Sequence, residues 1–185
     1  MKQYNEEFIR KCRKGNRNMQ RVLFEELYAP MFRISMRYVG NVADAEDCMM
    51  KGFMKVFQKL ESFRYEGEQS LFAWIRKIMV NESLMFIRQK HNFLISIEEQ
   101  PGEAMLPAEI MQRYDAEELN SLILQLPTGY RTVFNLNVVE GYDHKEIAKM
   151  LGITESTSRT QLAKAKTKLR KMLEQNITYN ENTGR

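Results

Sequence analysis

Cysteine and histidine each occur only twice among the 185 residues. Cys12 and Cys48 cannot build a disulfide framework, and both sit in helical patterns, where a thiol acts as a small apolar residue. His91 and His144 are far apart, and no spacing matches a zinc site, so no metal and no cofactor is expected. Catalytic signatures are missing too: there is no G-x-x-x-x-G-K-[ST], no paired histidines at metal spacing and no nucleophile motif, which argues against an enzyme. No run approaches the roughly 18 apolar residues of a membrane span. The opening MKQYNEEFIRKCRKGN is rich in charge and lacks the apolar stretch of a signal peptide. The expectation is a cytoplasmic protein with no membrane insertion. Strand-like alternation is absent, and only four prolines interrupt the chain.

What is present reads as helix almost throughout. Apolar residues make up 43% of the chain, enough for real cores. The spacing predicts a short helix over Glu7–Lys14 and a longer one over Arg17–Val39, with Pro30 as a kink or break inside it. A third helix is expected from Ala43 to Leu60 and a fourth from Leu71 to Lys90, on either side of the polar loop FRYEGEQ. On the fourth, Leu71, Trp74, Ile75, Ile78 and Met85 are expected to face the core. The stretch 92–109 carries Pro101-Gly102 and Pro107 and reads as a linker; helices resume near Glu109. From Asn92 to Glu118 seven acids stand against Arg113 alone, a net −6, so the remainder carries +10 of the chain's overall +4. A basic remainder favours polyanionic partners. The fold class expected is all-α: two small helical domains, 1–91 and 110–175, joined by an acidic linker, with 176–185 as a fraying polar tail.

The stretch 143–173, DHKEIAKMLGITESTSRTQLAKAKTKLRKML, reads as a helix-turn-helix. Asp143 can cap a first helix, with Glu146 returning the bond in a capping box. Gly152 sits where the turn needs φ > 0, and Thr154 can cap a second helix. Leu162, Ala165, Leu169, Met172 and Leu173 fall on one face of that helix; Ser156, Thr157, Thr160, Lys164, Thr167 and Lys171 fall on the other. Hydroxyls followed by lysines suit a helix lying in a DNA major groove. A bundle helix with solvated charges is the plainer alternative.

Three passages, in order, resemble the extracytoplasmic-function sigma factors, the small promoter-recognition subunits of bacterial RNA polymerase. DAEDCMMKGFMKVFQKLESF, Asp44 to Phe63, resembles the family's polymerase-binding helix. FRYEGEQSLFAWIRKIMVNESLMFIRQK resembles the loop and helix that open and read the −10 element, with W-[IL]-x-x-I-x-x-N met by Trp74, Ile75, Ile78 and Asn81. The third passage carries L-P-x-x-x-R-x-V-F, G-Y-x-x-x-E-I-A and L-G-I-x-x-x-T, and resembles the −35-reading domain.

The resemblance implies core RNA polymerase and promoter DNA as partners, with an anti-sigma factor as a further possible one. It places polymerase contacts at Asp44, Glu46, Asp47, Met50, Lys51, Met54 and Phe57, with Met49 adding apolar surface, although core packing also suits these methionines. Met50 and Lys51 stand where the family often carries a Gln-acid pair. Contacts to the −10 element fall on Phe63, Tyr65, Lys77, Asn81 and Arg88; the aromatics could stack on an unstacked base, and Phe63 equally fits a buried position. Contacts to the −35 element fall on Ser156, Thr157, Arg159, Thr160, Lys164, Lys168 and Lys171. Ser158 replaces the apolar residue usual in the family, which suggests looser packing of the motif. The alternative of another class is a helix-turn-helix regulator whose N-terminal domain senses a signal or binds a partner.

Overall fold

The structure, a computed structural model, describes residues 4–90 and 116–183, with side chains of the last helix described to Gln175. The expected linker, 92–109, lies outside the described residues. No strand occurs among those described. The chain forms two compact units, Met1–Ile87 and Arg88–Arg185.

The first unit begins with α1 (Glu6–Arg13), capped by the Asn5 side chain, which accepts from the Phe8 amide at 2.9 Å. α2 (Arg17–Val39) is capped by Asn16 and runs as one helix through Pro30. Of the kink or break expected there, a break does not occur: Leu23, Leu27, Met31, Ile34 and Tyr38 are buried on both sides of the proline. Gly40, at φ +86°, ends α2, and Asn41 caps α3 (Val42–Lys59). This tight turn folds α3 back along α2, and Phe24 meets Phe53 edge-on at 4.8 Å between ring centres. A 3-10 turn (Leu60–Ser62) and a short loop lead to α4 (Glu68–Lys90). α4 buries Leu71, Ile75, Met79, Val80, Leu84 and Ile87. Glu82, also buried, is held by Lys55 of α3 at 2.6 Å, which satisfies a carboxylate that would otherwise be costly to enclose.

Met85 is exposed rather than part of that core. The reason is angular: Met85 is four residues after Asn81 and eight after Lys77, so it rides the same stripe as the polar residues.

The second unit contains α5 (Ala116–Leu124), α6 (Thr128–Phe134), a π-helical turn (Asn135–Val139), α7 (His144–Leu151) and α8 (Glu155–Thr183). Its core gathers Leu122, Ile123 and Leu126 with Val133, Phe134, Leu136, Ile147 and Leu151, against Leu162, Ala165, Leu169 and Leu173 of α8. Arg131 is buried within it, donating through Nη1 to the carbonyls of Leu124 and Leu126 at 2.9 and 3.1 Å. Burial lowers the pKa of its guanidinium. α8 continues as helix to Thr183, into the stretch that the sequence assigned to the polar tail. Nothing in NITYNEN stops a helix, since it holds neither proline nor glycine.

Candidate nucleic-acid and polymerase interfaces

The helix-turn-helix is built by local signals. Asp143 Oδ1 accepts from the Glu146 amide at 2.7 Å, and Glu146 Oε2 accepts from the Asp143 amide at 3.0 Å, completing the capping box. Gly152 takes φ +69°, the left-handed conformation that closes α7. Thr154 Oγ1 then accepts from the Thr157 amide at 3.0 Å and pairs with the Thr157 hydroxyl at 2.9 Å, opening α8.

On the outer side of α8, Ser156 and Arg159 are exposed in the first turns, Thr160 and Lys164 are half-buried, and Lys168 and Lys171 are exposed further on. Thr157 is engaged in the cap, which makes it a positioning group more than a reading one. Arg159 pairs with Glu155 at 3.1 Å across an exposed surface. Such a pair is worth about 1 kcal/mol or less, so a phosphate or guanine edge can draw the guanidinium away.

Ser158 does not loosen the motif. Its hydroxyl is fully buried and lies 2.8 Å from Nδ1 of His144, joining the first turn of α7 to the first turn of α8. A polar bridge replaces apolar contact at that position. Desolvation first, and then the nearby Arg159 charge, lower the pKa of His144. Sequence reasoning missed this bridge because the partners are 14 residues apart and carry no motif.

On α3, Glu46, Asp47, Met50, Lys51 and Met54 are exposed, with Asp44 and Phe57 half-buried. Met50 is 48% and Met54 60% exposed, which is high for side chains of their size and leaves an apolar strip on the surface. Met49 is fully buried and leaves the expected set; it lies one turn before Phe53, whose ring meets Phe24 of α2. Lys51 Nζ pairs with Asp47 at 3.1 Å, one turn earlier, which raises the lysine pKa.

On α4, Lys77, Asn81 and Arg88 are exposed along one stripe. In the loop before α4, Phe63 is 8% exposed and stacked on Trp74 with 4.6 Å between ring centres. The packing alternative holds for this ring, so Phe63 leaves the exposed stacking set. Tyr65 remains half-buried at the rim of an open recess of about 490 Å³, with Glu66, Gly67, Glu68, Gln69 and Asn5. Its hydroxyl donates to the carbonyl of Tyr4. Among the described residues no cluster of His, Cys, Asp or Glu could hold a metal ion, and no helix is long and apolar enough to cross a membrane.

Family comparison fits this layout. The profile of Sigma-70 region 2 matches residues 23–93, and that of Sigma-70 region 4 matches residues 116–169. The chain belongs to the sigma-70 family. Among the relatives of this sigma factor, the ECF RNA polymerase sigma factor SigW of Bacillus subtilis strain 168 is 24% identical over 178 residues, covering 89% of this chain and 94% of the relative. The RNA polymerase sigma factor SigV of the same organism is 25% identical over 134 residues, covering 72% of this chain and 78% of the relative. The ECF RNA polymerase sigma-E factor of Haemophilus influenzae is 23% identical over 189 residues, covering 91% and 93%. The sigma factor is of the extracytoplasmic-function type. A solved structure, CnrH in complex with the cytosolic domain of CnrY, aligns with 90% of this chain and 95% of that chain at 18% identity and a TM-score of 0.46. The region 2 match contains α3, the loop and α4; the region 4 match contains the helix-turn-helix and ends within α8.

Proposed function

We propose that this sigma factor binds core RNA polymerase through α3 and directs it to promoters, reading the −10 element with α4 and its preceding loop and the −35 element with α8. It contributes no catalytic group; the polymerase supplies the chemistry. The observation that carries the reading is the paired occurrence, in family order, of an exposed Met-and-acid helix face and a capped helix-turn-helix. The first suits a protein partner: Met50 and Met54 adapt to a facing surface, flanked by Asp44, Glu46 and Asp47. The second suits duplex DNA: Ser156, Arg159 and Thr160 at the start of α8 reach base edges, and Lys164, Lys168 and Lys171 hold phosphates. On α4, Lys77 and Arg88 hold the backbone while Asn81 offers an amide to a base edge.

The test is co-purification of the chain with core polymerase, followed by sequencing of the bound promoter DNA. An Asp47→Lys, Met50→Glu double variant with unchanged circular dichroism is expected to lose core binding. Undiminished capture of core by that folded variant would remove α3 from the role. Promoter binding that needs no polymerase at all would instead favour a helix-turn-helix regulator.

A further inference from the structure

The loop between the 3-10 turn and α4 is gripped at both ends by the N-terminal segment, which lies outside the residues matched by the region 2 profile. At the near end, Arg13, in the last turn of α1, donates from Nε to the Leu60 carbonyl at 3.1 Å and from Nη2 to the Phe63 carbonyl. At the far end, the amide of Tyr4 donates to Glu68 Oε1 at 2.6 Å, and the Tyr4 carbonyl accepts from the Tyr65 hydroxyl. Tyr4 is itself pinned to α2, its hydroxyl donating to Glu26 Oε2 at 2.6 Å, and its ring meets Phe8 edge-on at 5.4 Å.

These bonds join residues 47 to 64 positions apart, so none follows from helix formation. Both groups held on the loop side matter to its shape. Leu60 and Phe63 bound its entry, and Tyr65 and Glu68 form its recess. α1 is anchored in turn by Ile9 and Cys12, both buried. At the start of α4, Ser70 Oγ accepts from the Glu66 amide at 3.0 Å and donates to the carbonyl of Gly67, itself at φ +105°, at 2.7 Å, so the loop's end is tied locally while its entry and the Tyr65 side chain are tied by the N-terminal segment. Where Arg13 and Tyr4 hold Leu60, Phe63 and Tyr65, the entropy of fixing those groups is lost before any ligand arrives.

We infer that Arg13 and Tyr4 are positioning residues for promoter reading: the N-terminal segment clamps the Phe63–Gly67 loop in the shape that receives an unstacked base of the −10 strand. The inference rests on the proposed role of that loop. Neither residue touches DNA. Arg13 acts through two carbonyls, and Tyr4 acts through Tyr65 and Glu68.

The experiment uses holoenzyme assembled from the full chain and core polymerase. Two probes are used, a fluorescent single-stranded oligonucleotide carrying the −10 sequence and a duplex carrying only the −35 element. The variants are Arg13→Gln and a chain lacking residues 1–4. Arg10→Gln serves as control, since it removes the same charge from the same helix at an exposed position without a bond to the loop. The expected result is about tenfold weaker binding of the single strand by both variants, the order set by losing charge-assisted or paired hydrogen bonds. Core binding and −35 duplex binding stay within about twofold, and Arg13→Lys, which can still reach one carbonyl, recovers part of the loss. Three results would overturn the inference. One is wild-type affinity for the single strand in both variants. Another is an equal loss in Arg10→Gln. The third is a matching loss of core binding, which reports general unfolding of the unit. If wild-type holoenzyme fails to prefer the −10 strand over a scrambled one, the reading role of the loop falls, and the clamp with it.

Discussion

Replacing Gly52 by alanine sets two effects of opposite sign against each other. In the middle of α3 an alanine is favoured over glycine by about 1 kcal/mol, because the unfolded chain loses freedom and the helix loses nothing. A Cβ at position 52, however, would lie 2.3 Å from Met79 Sδ and 2.9 Å from its Cε. Carbon and sulfur atoms need about 3.5–4.0 Å, so the end of Met79 must retreat by more than 1 Å. Met79 is fully buried in α4, and a close-packed core offers little room for that retreat. Overpacking of this kind costs about 1–3 kcal/mol. The balance is a net loss on the order of 1 kcal/mol for Gly52→Ala. In a Met79→Val background the δ and ε atoms are gone, the new methyl fills space, and the same substitution should stabilise by about 1 kcal/mol. The assay is urea unfolding followed by fluorescence of Trp74, the single tryptophan, which lies in the first unit and reports that unit alone. The double-mutant cycle should show coupling of about 2 kcal/mol with a change of sign. Additive effects, with Gly52→Ala stabilising both backgrounds equally, would refute the reasoning and show that the thioether moves at no cost.

In the second unit, Arg131→Met should destabilise by about 2 kcal/mol, because the Leu124 and Leu126 carbonyls lose their shared donor inside the core. Amide hydrogen exchange should quicken in α6 and α8 and stay unchanged in α2 and α3; unchanged exchange throughout would mean that water replaces the guanidinium freely. The fold lowers the pKa of His144 from its ordinary 6.5, so the folded state binds fewer protons than the unfolded one below that value. The stability contributed by the neutral ring is complete above pH 6.5 and is lost as the pH falls further, and His144→Gln should flatten exchange-derived stability between about pH 7 and 5. An identical slope in His144→Gln would assign the pH dependence to other groups. On α8, Arg159→Ala should change the preference among −35 sequences, whereas Lys168→Ala should weaken all of them alike and reduce the salt slope by about one unit. A uniform loss in Arg159→Ala, measured by fluorescence anisotropy across a panel of upstream sequences, would end its base-reading assignment.

Much of the architecture was legible because its signals are local. The capping box of Asp143 and Glu146, the Thr154 cap and the left-handed Gly152 all act within four residues, and each was readable from spacing. The exposed stripe of Lys77, Asn81 and Arg88 followed from helical period, and so did the buried face of α8. The same period misplaced Met85, because its apolar character outweighed its angular position beside Asn81. Burial of Phe63 depends on Trp74 arriving from the next helix. The His144–Ser158 bridge and the Arg13 and Tyr4 bonds join residues with no common motif, so they are visible only once the helices are placed.

The two thiols carry a consequence for chemistry in the cell and at the bench. Cys12 on α1 and Cys48 on α3 are 1% exposed, and burial pushes both up to about pKa 11. At neutral pH such a group is a thiolate only about once in ten thousand encounters, and the thiolate is the reactive form. Burial and a raised pKa both disfavour oxidation of either sulfur in the folded protein. Alkylation of either one therefore clocks the opening of the helix that carries it. The two sites form a pair of built-in stopwatches, one for the N-terminal segment and one for the helix assigned to the polymerase.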